Sequence, residues 1–227
     1  MGIGKKGFTL VEIIVSLAIM TIVAGAVGAF VIAGNNSYMR GNKELTLQEE
    51  AQLTANQMID LIIDVEKGIS FSNLTDQEAV DVDGNVAKDV NGMEVTNASV
   101  SELRLINNDN SYMIRWQGGA GADYADANQV YLYEVTNSKD AEGKLVVGDF
   151  DAARPALMAE HVSSFSVDLS ELDKRKVVLN MTFTYQDKSY DISETIKLRN
   201  DLSSEPSSIY SWISGIRIIP DHADLKQ

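Results

Sequence analysis

The sequence predicts an α+β protein in which a long N-terminal helix packs against an antiparallel β-sheet domain. Two observations predict this fold class. Residues 8–69 hold an apolar run followed by an amphipathic stretch with helical spacing. Several segments after residue 100 alternate apolar and polar residues, which is typical of half-buried strands. The helix is therefore expected first, and the sheet after it.

Composition restricts the classes of function. The chain has 227 residues, a formal net charge of −14 and no cysteine. About 160 residues follow the helical region, enough for one modest core. The acidic balance argues against a nucleic-acid-binding surface, which would be basic. The absence of cysteine excludes disulfides, Cys-based catalysis and Cys-ligated zinc. We identify no internal repeat.

The N-terminal apolar run is long enough to cross a bilayer as a helix at ~1.5 Å per residue. Lys5 and Lys6 precede it, whereas residues 35–39, which follow it, carry no charge. This positive-inside bias puts the N-terminus in the cytoplasm and the C-terminal domain outside. We therefore expect a single-pass protein of the cytoplasmic membrane.

One carboxylate, Glu12, lies inside the apolar run. A central acidic residue costs roughly 2.5–3.5 kcal/mol in a bilayer, and less near its edge, so Glu12 needs a partner. Cleavage between Gly7 and Phe8 would create an α-amino group four residues away on the same helix face. In a bundle of staggered helices, Glu12 of one subunit could pair with the amine of the next and so set their register.

The segment Gly7-Phe8-Thr9-Leu10-Val11-Glu12 and the apolar residues 13–19 resemble the processing motif of type IV pilins and type II secretion pseudopilins. The resemblance implies a pilin-like fold, cleavage between Gly7 and Phe8 by a prepilin peptidase, N-methylation of Phe8 and use of Glu12 in assembly. It implies a structural filament subunit rather than an enzyme. The implied partners are other pilin or pseudopilin subunits, the peptidase and the inner-membrane assembly platform. The resemblance does not choose among adhesion or twitching pili, DNA-uptake pili and protein secretion.

Two other interpretations compete with a prepilin. A secretory signal peptide would use Ala24-Gly25-Ala26 as its cleavage site, but the apolar run continues past that site to Ile32. An ordinary membrane anchor explains the length of the run but neither the Gly7–Phe8 junction nor Glu12. The rival function is a membrane-anchored extracellular binding or adhesion module that does not polymerise.

The chain order suggests five regions. They are a leader (1–7), a transmembrane or filament-core helix (8–34), an amphipathic helical spine (35–69), an extracytoplasmic α+β domain (70–200) and a C-terminal tail (201–227). The spine carries an apolar stripe at spacings of three and four residues: Leu47, Ala51, Ala55, Met58, Ile62, Val65 and Ile69. The glycines of the helix, Gly25, Gly28, Gly34 and Gly41, are compatible either with close packing or with a section that loosens in a filament.

The outer domain is expected to contain two hairpins. One joins residues 102–106 to residues 112–116, and the other joins 176–185 to 189–198. Further strands are predicted at 129–136, with 144–147 as its pairing candidate, and at 162–169. Residues 70–100 read as a polar connection, in which Asp81-Val82-Asp83-Gly84-Asn85 resembles the start of a calcium loop. Gly92 stands where such a loop needs a Glu, so an acidic turn is favoured.

No catalytic, cofactor-binding or metal-binding motif is found. His161 and His222 each stand alone in the sequence, and the carboxylates cannot be paired from sequence. The tail contains an apolar patch between Ile209 and Ile219. We expect this patch to pack on the domain, the alternative being a contact with a partner.

Overall fold

A computed structural model describes residues 9–118 and 124–202. Within them, one α-helix, α1 (Leu10–Ile63), precedes ten strands, which confirms the α+β class. The strands are β1 (Gly68–Gln77), β2 (Ala98–Ile106), β3 (Asn110–Gly118), β4 (Gln129–Thr136), β5 (Ser138–Lys139), β6 (Leu145–Val146), β7 (Ala156–Ala159), β8 (Val162–Asp168), β9 (Lys176–Tyr185) and β10 (Lys188–Lys197).

The strands form three sheets with antiparallel pairing throughout the described residues. The largest has the order β1-β2-β3-β4-β7, a second has the order β10-β9-β8, and β5 pairs with β6. The chain divides into two compact units, Met1–Thr46 and Leu47–Gln227. In the first unit, the described residues are helical from Leu10 onward, and the apolar side chains of residues 10–39 are exposed.

The core of the second unit lies between the helix and the two larger sheets. The predicted stripe on α1 is buried, and Thr54 joins it. It packs with sheet side chains such as Leu103, Ile114, Phe165, Leu179 and Phe183. Burial of these side chains removes apolar surface from water, which stabilises the domain by roughly 25 cal/mol per Å².

The predicted end of the helical spine at Ile69 is wrong, because α1 ends at Ile63. Val65 and Ile69 are buried as expected, but Ile69 lies in β1, where it pairs with Leu105. The Lys67 N–H donates to the Ile106 carbonyl at 2.9 Å. Pairing with β2 therefore satisfies the backbone where the helical spacing of apolar residues would have continued the helix.

Both predicted hairpins are present, as β2–β3 and β9–β10. In β9 the alternating side chains Val177, Leu179, Met181 and Phe183 are buried, which confirms the period-two pattern. The pairing proposed for residues 144–147 is wrong. Leu145 and Val146 pair with β5, while β4 lies between β3 and β7.

Residues 70–100, which were predicted to form a polar connection, contain a strand and regular turns. β1 is an edge strand of the largest sheet, and two similar eight-residue units follow at 79–86 and 87–94. The backbones of Ala79, Ala87 and Val95 form a closed ring: Ala79 N–H donates to Val95 O, Val95 N–H to Ala87 O, and Ala87 N–H to Ala79 O, each at 2.9 Å. The expectation of no internal repeat is therefore wrong for this segment, because two diverged copies of eight residues give little periodic signal.

Candidate assembly site

The N-terminus of α1 is capped by two side chains. The Glu12 N–H donates to Thr9 Oγ1 at 3.3 Å, and the Thr9 N–H donates to Glu12 Oε2 at 3.5 Å. This reciprocal pair is a capping box, with Thr9 as the N-cap and Glu12 three positions into the helix. The arrangement satisfies two backbone donors and places a carboxylate at the positive end of the helix dipole.

A role for Glu12 is predicted by the motif, whereas the part of Thr9 in the helix cap is seen in the structure. The spacing Thr-x-x-Glu immediately before an apolar run is itself the signature of a capping box, so Thr9 could have been found from sequence. The structure places Glu12 on an exposed turn within hydrogen-bonding distance of Thr9. Gly7 and Phe8 lie outside the described residues, so cleavage and methylation there stay predictions.

Other polar side chains of the apolar run are satisfied within the helix. Ser16 Oγ donates to the Glu12 carbonyl at 2.6 Å, and Thr21 Oγ1 donates to the Ala18 carbonyl at 2.8 Å. Such bonds let a hydroxyl enter an apolar environment without an external partner. Glu12 is the one charged side chain between residues 8 and 34. It is therefore the side chain of this run whose charge needs a partner outside its own helix.

The length of α1 and comparisons with known proteins bear on this site. The helix α1 is long and apolar enough to cross a membrane by length and composition. A family model described as the prokaryotic N-terminal methylation motif matches residues 4–28. The chain carries the prepilin methylation motif. This motif is the hallmark of type IV prepilins and pseudopilins, and the match spans the Gly7–Phe8 junction, Thr9 and Glu12. Comparison with curated proteins and with solved structures gives no significant match.

In the loop that resembles a calcium site, the Asp81 carboxylate accepts hydrogen bonds from the backbone of its own turn. Asp81 Oδ1 accepts hydrogen bonds from the N–H groups of Asp83 and Asn85, both at 2.9 Å. Asp89 Oδ1 does the same for Asn91 and Met93, at 2.9 and 2.8 Å. Gly84 and Gly92 close these turns with positive φ angles of 84° and 79°, which favour glycine. Residues 9–118 and 124–202 contain no group of three or more His, Asp or Glu side chains positioned to hold a metal.

These turns predict a pH dependence. The hydrogen bond from the Met93 backbone N–H, together with bonds from Asn91 and Gly92, lowers the pKa of Asp89 below its usual 3.8, although desolvation opposes the shift. A carboxyl whose folded pKa is depressed contributes stability above its unfolded pKa, and that contribution is lost as the pH falls through the folded value. We expect Asp89→Asn, which keeps the acceptor oxygen, to flatten the fall in Tm below pH 4. Thermal unfolding between pH 2 and pH 6 checks this, and an unchanged profile would contradict it.

His161 has a carboxylate partner in the fold, although it stands alone in the sequence. Its Nδ1 lies 2.7 Å from Glu50 Oε2, and Glu50 Oε1 accepts the backbone N–H groups of Glu160 at 2.7 Å and His161 at 3.2 Å. The imidazole also meets Tyr185 edge-on, with 4.5 Å between ring centroids. His161 follows β7 and precedes β8, so Glu50 fixes α1 to the point where the chain passes between sheets. The pair has a structural role, since it holds α1 against the segment between β7 and β8. His222 lies outside the described residues.

A second polar cluster lies on the largest sheet. Glu102 on β2 is opposite Arg115 on β3, and its carboxylate lies 2.8 Å from Arg104 Nη2 and 3.8 Å from Arg115 Nη1. Arg115 also donates to the Glu78 carbonyl at 2.6 Å, and the Arg104 guanidinium stacks over Phe150 at 5.8 Å. One buried carboxylate held between two cations has the arrangement of a structural ion cluster, since a glycosidase-type site needs two facing carboxyl groups.

Proposed function

We propose that the chain is a minor pilin or pseudopilin, a structural subunit of a type IV pilus or of a type II secretion-like filament. The observation that carries the proposal is Glu12, held at the start of an exposed apolar helix within the methylation motif. Neither a signal peptide nor an ordinary anchor needs a carboxylate there. A subunit that packs its helix among others does, because the carboxylate selects one register.

In this proposal a prepilin peptidase cuts between Gly7 and Phe8, and Phe8 is N-methylated. Removal of Lys5 and Lys6 takes the side-chain charge from −14 to −16. The cleaved chain remains in the cytoplasmic membrane through residues 8–34, with the C-terminal domain outside. Assembly then moves the helix from lipid into a filament of similar subunits, on the inner-membrane platform. Glu12 meets the N-terminal amine of a neighbouring subunit.

The outer domain, residues 70–200 together with the spine, would lie on the filament surface or at its tip. Its size and its several sheets exceed what a minimal shaft subunit needs, which favours a minor role. Its two best-defined polar clusters bind the fold together, so no enzymatic activity is proposed. The tail, residues 201–227, begins at the edge of the described residues, and its apolar patch lies outside them.

The alternative function is an anchored adhesion or binding module that never polymerises. The N-terminus of the mature protein separates the two. Mass spectrometry of protein extracted from its native membrane is expected to show a chain that begins with N-methylated Phe8. An intact Met1, or a start near Val27 after signal-peptide cleavage, would overturn the proposal. Purified filaments that contain the protein would exclude the alternative.

A further inference from the structure

The strand β1 forms one edge of the largest sheet, and among the described strands it pairs with β2 alone. An edge strand presents unpaired backbone N–H and C=O groups, which proteins protect with charges, proline, a bulge or a short strand. Residues 68–74 of β1 contain no charged residue and no proline, and the break in register comes only after Leu74. The first seven residues of this edge therefore have none of the usual protections.

The other edge strands differ from β1. The strand β7 has four residues, and β10 carries the charged residues Lys188, Asp191, Glu194 and Lys197. The strand β8 is uncharged before Asp168, but other segments already bond its first residue. The Val162 N–H donates to the Asn128 carbonyl at 2.9 Å, and the Val162 carbonyl accepts the Trp116 Nε1–H at 2.6 Å. The edge of β1 is thus the long edge that calls for a covering strand.

The described part of the chain ends beside the start of this edge. Leu202 is buried in the main core, the Arg199 N–H donates to the Ile63 carbonyl at 3.0 Å, and Asn200 Nδ2 donates to the Val65 carbonyl at 2.9 Å. Val65 lies three residues before β1 begins. An extended connection through residues 203–207 spans up to ~17 Å, so the residues that follow can reach β1.

The sequence that follows this connection is typical of a strand. Residues 209–219 are rich in β-branched and aromatic residues and contain one charge, Arg217. If they are extended, Tyr210, Trp212, Ile216 and Ile218 share one face. In β1, Ile69 is buried on the core side, but Phe71 on the same side is partly exposed. An apolar strand beside β1 would cover the Phe71 ring.

We propose that residues 209–219 of the same chain add to the edge of β1 as a parallel strand of the largest sheet. The strand is parallel because the chain arrives at the end where β1 begins. Tyr210 and Trp212 lie on the side of Phe71, and Ser211 lies on the side of Ser70 and Ser72. The short connection gives the chain's own tail a high effective concentration at this edge, which favours it over the tail of another copy. Added in this way, the tail prevents edge-to-edge pairing between subunits. The inference concerns the outer domain and does not depend on the proposed filament function.

Disulfide trapping tests the proposal, because the chain contains no cysteine of its own. Two double variants of the full chain in detergent micelles, Ser72→Cys with Ser211→Cys and Ser70→Cys with Ser211→Cys, cover neighbouring registers on one face. Under mild oxidation, the better of the two is expected to form a disulfide within one chain at least about ten-fold faster than the control. The control is Ser193→Cys with Ser211→Cys, which places the first thiol on the edge strand β10.

Mass spectrometry without reductant distinguishes the outcomes. A disulfide within one chain at β1 supports the proposal. A disulfide that joins two chains would assign the edge to the tail of a second copy. Equal or faster trapping at Ser193 would assign the tail to β10, and trapping at none of the three positions would leave the tail away from both edges. Each of these three results would overturn the proposal.

Hydrogen exchange provides a test without cysteines. Ile213→Pro in the full chain removes a backbone donor and disfavours a strand, so amide exchange in residues 68–74 should become at least about ten-fold faster. Ser207→Pro, in the connection, is the matched control and should leave that exchange unchanged. Exchange in β9 should be the same in both variants, which shows that the domain stays folded. Unchanged exchange of residues 68–74 in Ile213→Pro would contradict the added strand.

Discussion

Glu12→Gln subunits are expected to enter filaments at least about a hundred-fold less well than the wild type. The substitution keeps the size and the capping geometry of the side chain but removes its charge. Breaking a desolvated ion pair by neutralising one partner costs about 3–5 kcal/mol, and every 1.4 kcal/mol is a factor of ten. Competition between tagged wild-type and variant subunits in the same cells, followed by mass spectrometry of sheared filaments, measures the ratio.

The same substitution should leave membrane insertion intact or improve it, because a neutral side chain is less costly in lipid than a charged one. Glu12→Val should behave likewise and also lose the cap. The exposed Glu49, on the same helix but beyond the apolar run, provides a control as Glu49→Gln, which should assemble normally. Equal incorporation of wild-type and Glu12→Gln subunits would remove the assigned role of Glu12.

Glu102→Ala is expected to destabilise the outer domain by about 3–5 kcal/mol. The Glu102 side chain is 5 % exposed, and its removal leaves Arg104 and Arg115 without their carboxylate in a largely buried site. The Nε atoms of both arginines are already buried without a hydrogen-bond partner among the described residues, so the cluster has little to replace the lost acceptor. Urea unfolding of the full chain in detergent micelles, followed by near-UV circular dichroism, measures the change.

An exposed glutamate on another strand provides the matched control. Glu194 lies on β10 with its side chain exposed, and Glu194→Ala should change stability by no more than about 0.5 kcal/mol. Glu102→Gln should fall between the two variants, since it keeps an acceptor oxygen and loses the charge. A midpoint for Glu102→Ala equal to that of Glu194→Ala would show that the cluster contributes no net stability.

The spacing of apolar residues was sufficient to predict which face of a helix or strand is buried. The stripe from Leu47 to Ile69 and the alternation along β9 each predicted burial correctly, because a helix or strand with one apolar face has only one way to bury it. The boundary of α1 was not predictable in the same way. Val65 and Ile69 fit a helical stripe and also fit a strand, and pairing with β2 decided between them.

The sequence by itself predicted the candidate assembly site at the N-terminus. The Gly7–Phe8 junction, Thr9 and Glu12 lie within a few residues of one another, so local spacing carries both the motif and the helix cap. Only the tertiary structure decided which distant charges meet. Glu50 meets His161 because α1 packs beside the segment between β7 and β8, and Glu102 meets Arg115 because the register of β2 and β3 places them opposite each other. Composition and periodicity do not encode those relations, because they describe what faces the core and not which polar groups stand opposite one another.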